Sequence, residues 1–293
     1  MSFLNYFISG LSLGAVYAII ALGYTMVYGI AKMLNFAHGD VIMVGAYTAF
    51  YTMTMFSHNS LIVVLLASLV CMSLGLLIEF LAYRPLRNAN SLSVLITAIG
   101  VSYFLQNSAL LLFGANPKSF SSIVSFGAIK LFDGALTITS ESIITIVACV
   151  VIMLLLTFFV NKTKFGIAMQ AVSEDRGAST LMGISVNKTI SLTFAIGSFL
   201  AGIAGVLLCS SYPTLSSTTG AMPGIKAFVA AVIGGIGSIP GAFIGGLLLG
   251  VLENLSKAYI SSQLSDAIVF SLLIIMLLVK PQGILGKKIN EKV

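Results

Sequence analysis

The run KAFVAAVIGGIGSIPGAFIGGLLLGVLE, residues 226–253, carries one charge at each end and none between them. A helix that crosses a bilayer needs roughly 20 mostly apolar residues. As one helix this run would be about 42 Å long, against a hydrocarbon core of about 30 Å. It also contains GGIGSIPG at 234–241. Pro240 lacks an N–H and its ring clashes with the preceding turn. The glycines beside it, Gly235, Gly237 and Gly241 among them, add backbone freedom. The run therefore reads as a membrane-embedded element broken or re-entrant near its middle.

The rest of the chain agrees with a lipid solvent. Of its 293 residues, 58% are hydrophobic and 8% are charged, where a soluble domain carries about 25% charged residues. Mean hydropathy is +1.07. Eight apolar segments can be marked: 4–28, 39–56, 61–83, 92–113, 141–160, 189–211, 226–253 and 264–279. Lipid offers no hydrogen bonds to the backbone, so each is a helix. The expected fold class is all-α, a polytopic transmembrane helical bundle with two of its segments interrupted. Residues 1–293 form one membrane domain, and no soluble domain of ordinary size fits between the segments. The N-terminal apolar run lacks a basic flank and is too long for a cleaved signal, so it reads as the first span.

Net charge is +6. The bases sit in short loops, without the aromatic interleaving of a nucleic-acid surface, so no nucleic-acid partner is expected. Loop 84–91 holds Arg84 and Arg87. Loop 161–188 holds Lys162, Lys164, Arg176 and Lys188 against Glu174 and Asp175. The tail holds Lys280, Lys287, Lys288 and Lys292 against Glu291. Positive loops stay cytoplasmic. Three simple crossings between loop 161–188 and the tail would put the tail outside. A broken 226–253 repairs that parity.

A second break lies at Ala31–Asp40, AKMLNFAHGD. Paired interruptions in the two halves of a transporter point to its central site. Asn35, His38, Gly39 and Asp40 are candidates here, with Gly235, Gly237, Pro240 and Gly241 at the other break. His38 could relay protons, hold a substrate or simply pack. Asp40 is placed for a helix N-terminus, whose dipole favours a carboxylate, and a cap-and-organiser role is expected of the pair. Rows of small residues, Gly237/Gly241/Gly245, Gly246/Gly250 and Gly197/Ala201/Gly205, favour close helix packing within the bundle or at a subunit interface.

Loop 161–188 is long for a membrane connection. Ser173 could cap a helix beginning at Glu174, with Glu174 and Asp175 in its first turn. Met169, Val172, Leu181 and Met182 give it an apolar side. Such a helix could dock in a partner's groove or lie on the lipid surface; the pattern fits both.

Several chemistries are excluded or disfavoured. Gly183–Thr189 is one residue short of a phosphate loop and has Asn187 where a second glycine is needed, so this chain does not bind ATP. Cys71, Cys149 and Cys209 lie in apolar runs without metal or disulfide spacing. Asn161 and Asn187 begin N-x-T triplets in a loop assigned to the cytoplasm, so no glycan is expected. Glu79 is close to Arg84, and Lys226, Glu253 and Asp266 sit at segment ends, where snorkelling or interfacial pairing accounts for them. No cofactor or metal is expected, and an enzyme is not the reading.

MVYGIAKMLNFAHGDVIMVGAY (26–47) resembles the N-terminal signature of bacterial branched-chain amino acid ABC permeases of the LivH type. AVIGGIGSIPGAFIGGLLLGVLENL (231–255) resembles their C-terminal signature, and residues 168–207 are similar to their cytoplasmic loop and following helix. The resemblance implies an inner-membrane permease subunit paired with a second homologous permease. It also implies two cytoplasmic ABC ATPase subunits and an extracytoplasmic amino-acid-binding protein. Loop 161–188 would then be the ATPase-coupling loop. The importer motif there is Glu-Ala-Ala, three residues, Gly. Here Ala178 and Gly183 fit, while Gly177 replaces the Glu and Ser179 the second Ala; Glu174 or Asp175 could supply the acid. Arg176, Leu181 and Met182 complete the coupling set. Urea or short-chain amide permeases and ribose-type sugar permeases are the neighbouring readings. An ion-coupled secondary transporter and a channel are readings of other classes, and the lack of paired intramembrane acids argues against the first.

Overall fold

The computed structural model describes residues 2–56, 58–87, 89–123, 127–131 and 136–286. Lys287, Lys288, Glu291 and Lys292, part of the basic tail, lie outside them. The described helices are α1 (Ser2–Ala31), α2 (His38–Met55), α3 (Ser60–Ile78), α4 (Ser91–Phe113), α5 (Ser140–Lys162), α6 (Lys164–Glu174), α7 (Arg176–Leu181), α8 (Val186–Ser211), α9 (Ala221–Gly234), α10 (Ile239–Tyr259) and α11 (Ser265–Val279). A π-helical turn, Glu79–Tyr83, and a 3-10 turn, Arg84–Leu86, extend α3. Two tiny antiparallel pairs complete the picture: β1 (Lys118–Ser119) with β4 (Thr214–Leu215), and β2 (Ile129–Leu131) with β3 (Leu136–Ile138).

Among the described residues, six helices are long and apolar enough to cross a membrane: α1, the extended α3, α4, α5, α8 and α10. Large apolar side chains on α3, α4 and α5, such as Leu77, Ile96, Phe104, Leu111 and Leu155, are exposed. In water such faces would be aggregation sites; on spanning helices they face lipid.

The break in 226–253 is a corner between two helices. Gly235 and Gly237 have φ of 109° and 92°, the left-handed region where a Cβ is unfavourable. Ser238 then caps α10, its Oγ accepting from the Gly241 N–H at 3.2 Å. Pro240 stands in the first turn, where its missing N–H is no loss. Four helices, α8 to α11, separate loop 161–188 from Lys280; α8 and α10 are long and apolar enough to cross a membrane, and α9 and α11 are shorter apolar helices.

The chain packs as two compact units, one of Met1–Thr25, Ala128–Thr157 and Lys226–Val293, the other of Met26–Gly127 and Phe158–Ile225. In the first, α10 lies against α1 through small residues. A Cβ on Gly10 would stand 2.9 Å from Val251 Cα, and one on Gly14 2.8 Å from Leu247 Cα. Gly246 and Gly250 meet Ala18 and Gly14 in the same way. That row is used inside the chain, and its partner row on α1 escaped the sequence reading. In the second unit α2, α3 and α8 pack mutually. Met43, Ala46, Tyr47, Val63, Ala67, Val206 and Cys209 form their core. Gly202 lets α8 approach α3, since a Cβ there would stand 2.6 Å from Ser68 Cα. All three cysteines are buried and free.

Candidate functional site

The second unit holds the break after α1. Lys32 is, among the described residues, the one non-glycine with positive φ, at 55°. It ends α1 with its N–H on the Tyr28 carbonyl at 3.0 Å. Residues 33–37 then cross to α2. Asn35 is buried, and its Oδ1 accepts from the Tyr83 hydroxyl at 2.9 Å. Tyr83 closes the π turn, so that irregularity positions a clamp on the break. His38 is fully buried. Gly39 is set by close approach: a Cβ there would stand 2.6 Å from the Gly220 carbonyl oxygen.

Asp40 needs a correction. The cap position of α2 is Ala37, which offers no side-chain cap. Asp40 is the third residue of α2, three positions past the cap, and so cannot cap the N2 or N3 amide as an N-cap does. Its buried carboxylate instead accepts from Gln106 Nε2 on α4 at 2.9 Å. The favourable dipole placement remains.

A polar node lies at the end of the π turn. Arg87 donates to Glu79 and to Asn187, and Ser191 Oγ donates to the other Glu79 oxygen at 2.7 Å. Glu79 is therefore paired with Arg87, not Arg84, because the π turn rotates the chain between them; Arg84 lies over the Phe80 ring at 5.4 Å. Burial draws the Arg87 guanidinium below its ordinary pKa, while Glu79 opposes that shift and Arg84 and Arg176 add to it.

Loop 161–188 also departs from expectation, because it contains two helices. Thr163 caps α6, accepting from Gly166 N–H at 3.0 Å. Helix α6 runs through Ser173 to Glu174. Ser173 is therefore no cap; its hydroxyl donates to the Gln170 carbonyl at 2.7 Å. The cap of α7 is Asp175, extended at φ −154° and ψ 113°, accepting from Ala178 N–H at 3.0 Å. Asp175 outcompetes Ser173 because it stands where the backbone leaves the helix. At the other end Gly183, φ 81°, closes α7. Its N–H donates to Thr180 O at 3.0 Å, and Ile184 N–H to Ser179 O at 2.9 Å, the paired bonds of a Schellman stop. Glu174, Gly177 and Ala178 are exposed, and Ser179 is buried. Leu181 and Met182 are 89% and 81% exposed.

In the first unit the corner at 234–241 is pinned by the segment after α11. Ile284 N–H donates to Ile233 O at 2.8 Å and Leu285 N–H to Gly234 O at 2.9 Å. These satisfy carbonyls that the end of α9 would leave orphaned. A Cβ on Gly235 would stand 2.5 Å from Gly286 N. Gly235, Gly237, Pro240 and Gly241 thus share one corner between the end of α9 and the start of α10.

The same unit pairs the segment-end charges Lys226, Glu253 and Asp266 in one cluster and adds Lys257 and Tyr17 to it. Lys226 Nζ meets Glu253 at 2.8 Å and Asp266 at 2.6 Å. Lys257 reaches Glu253 at 2.5 Å, and Tyr17 donates to its other oxygen at 2.9 Å. Glu253 and Lys226 are buried, and Lys257 and Asp266 carry the network out to the surface. The i,i+4 pair Glu253/Lys257 was the one local sign of it.

A family model described as the branched-chain amino acid transport system / permease component matches residues 6–277. The high-affinity branched-chain amino acid transport permease protein LivH of Salmonella typhimurium is 45% identical, covering 99% of this chain and 98% of that protein. BraD of Pseudomonas aeruginosa, with the same description, is 43% identical at the same coverage. A probable LivH of Methanocaldococcus jannaschii is 32% identical over 92% of this chain and 88% of that protein. With a family-model match over residues 6–277 and a relative 45% identical over 99% of its length, the chain belongs to the family of branched-chain amino acid transport system permease components.

Proposed function

We propose that this chain is the translocating subunit of an ATP-driven importer for leucine, isoleucine and valine, working by alternating access. It is a multi-pass inner-membrane protein, a transport subunit and not an enzyme, and permeases of its family work with an ATPase and a binding protein. The proposal adds that residues 1–293 act as one permease domain and pair with a second homologous permease. Two ATPases would sit on the cytoplasmic face.

The observation that carries the reading is the end of α7. Leu181 and Met182 are held out by a rigid stop, on a helix capped at both ends. A fixed, exposed apolar pair favours a protein groove over loose contact with lipid. Residues 173–183, with Glu174, Asp175, Gly177, Ala178 and Ser179, form the coupling element in this reading. Asn35, His38, Gly39 and Asp40, and separately Gly235, Gly237, Pro240 and Gly241, shape backbone beside the pathway and do not carry protons. Helix α10 is about 31 Å long on its own, so the 234–241 corner is read as lying at a membrane face.

The test is uptake by the complex reconstituted with its ATPases and binding protein, using labelled leucine, isoleucine, valine, urea, a short amide and ribose. ATP-dependent uptake of the branched-chain amino acids alone is expected. Uptake of another solute in their place, or uptake driven by an ion gradient without ATP, overturns the proposal.

A further inference from the structure

We infer that Arg176 is a positioning residue that ties the coupling helix α7 to the break between α1 and α2. The inference rests on the proposed coupling role of α7 and adds a route for its motion. Arg176 is the first residue of α7, directly after its cap Asp175. Its guanidinium does not point out with Leu181 and Met182. It is half-buried and donates to the carbonyl of Ala31, the last residue of α1.

That carbonyl is one of four a helix C-terminus leaves unsatisfied, and a cation there also complements the helix dipole. The next residue, Lys32, is the left-handed one, and Asn35 three positions on is clamped by Tyr83. The short break is thus held at one end from α7 and at the other from the π turn. The two holds are close together, since Arg176 bears electrostatically on Arg87, which bonds Glu79 at the start of that π turn and Asn187 on α8. A displacement of α7 must either break the Arg176 bond or move Ala31. Moving Ala31 shifts its neighbour Lys32, the one non-glycine with positive φ among the described residues, and α2 follows.

The experiment compares wild type, Arg176→Gln, Arg176→Lys and Tyr83→Phe in reconstituted complexes, with a Leu181→Asp/Met182→Asp variant as the control on the coupling element. Three quantities are read: ATPase retained on purification, binding-protein-stimulated ATP hydrolysis, and leucine transported per ATP. For Tyr83→Phe, ATPase retention and hydrolysis within about twofold of wild type are expected; Arg176→Gln is read by transported leucine per ATP in the complex that forms. Transported leucine per ATP should fall about tenfold, the change that 1.4 kcal/mol of lost coupling produces. Arg176→Lys keeps a cation at the α1 terminus and should recover part of that ratio. A merely structural role would lower the yield of complex and leave the ratio unchanged in what survives, which overturns the inference. Loss of ATPase from Arg176→Gln overturns it too, since the side chain would then be a docking contact. If the Leu181/Met182 variant keeps its ATPase and full uptake, the proposed role of α7 fails instead.

Discussion

Removing the Glu253 carboxylate should cost more stability than any other single side-chain truncation in the α10 region. In Glu253→Ala, Lys226 loses one of two carboxylates, Lys257 loses its partner and the Tyr17 hydroxyl loses its acceptor. Breaking a buried ion pair from one side costs about 3–5 kcal/mol. Two features pull the expectation to the lower end. Asp266 still holds Lys226 at 2.6 Å, and Lys257, 36% exposed, can swing out. A loss of about 3 kcal/mol is expected, including about 1 kcal/mol for the Tyr17 hydrogen bond. Glu253→Gln keeps acceptors for Lys226 and Tyr17 and should lose about half as much. The double variant Lys226→Met/Glu253→Leu replaces the pair with apolar volume and should regain most of the loss, because a buried pair offers little net stability over well-packed apolar groups. Reversible unfolding in mixed micelles with rising SDS fraction, followed by pulse proteolysis, measures all three. Glu253→Ala within about 0.5 kcal/mol of wild type, or a double variant as unstable as the single, would refute the reasoning.

Gly183→Arg puts a side chain at φ 81° and should cost about 1 kcal/mol locally; the permease should stay in the membrane while co-purified ATPase drops several-fold. For Asp40, the Asn variant should keep much of the uptake because it still accepts from Gln106, whereas Asp40→Leu should lose it along with folded protein, read as uptake normalised to folded permease. Gly39→Val drives its side chain into the Gly220 carbonyl and should cut folded yield in detergent more than Gly100→Val, which meets nothing within 4 Å. Single cysteines at Arg87, Arg176 and Lys280, in a cysteine-free background, should all resist an impermeant thiol reagent added from outside; labelling of position 280 alone would undo the four-helix count from α8 to α11.

Composition determined the solvent, the helical class and the approximate segments. Lipid leaves the backbone no choice but helix. The same local chemistry marked the corner at Gly235–Gly241, because a proline and left-handed glycines act on their own turn. Even the family signatures are runs of neighbouring residues. What only the tertiary structure decided are contacts between residues far apart in sequence. Tyr83 on Asn35, Arg176 on Ala31, Gln106 on Asp40 and Lys226 with Glu253 and Asp266 each depend on which helices become neighbours. The cap of α7 fell to Asp175 and not Ser173 because α6 continued two residues further. Helix packing sets these outcomes, and the sequence around either partner does not name the other.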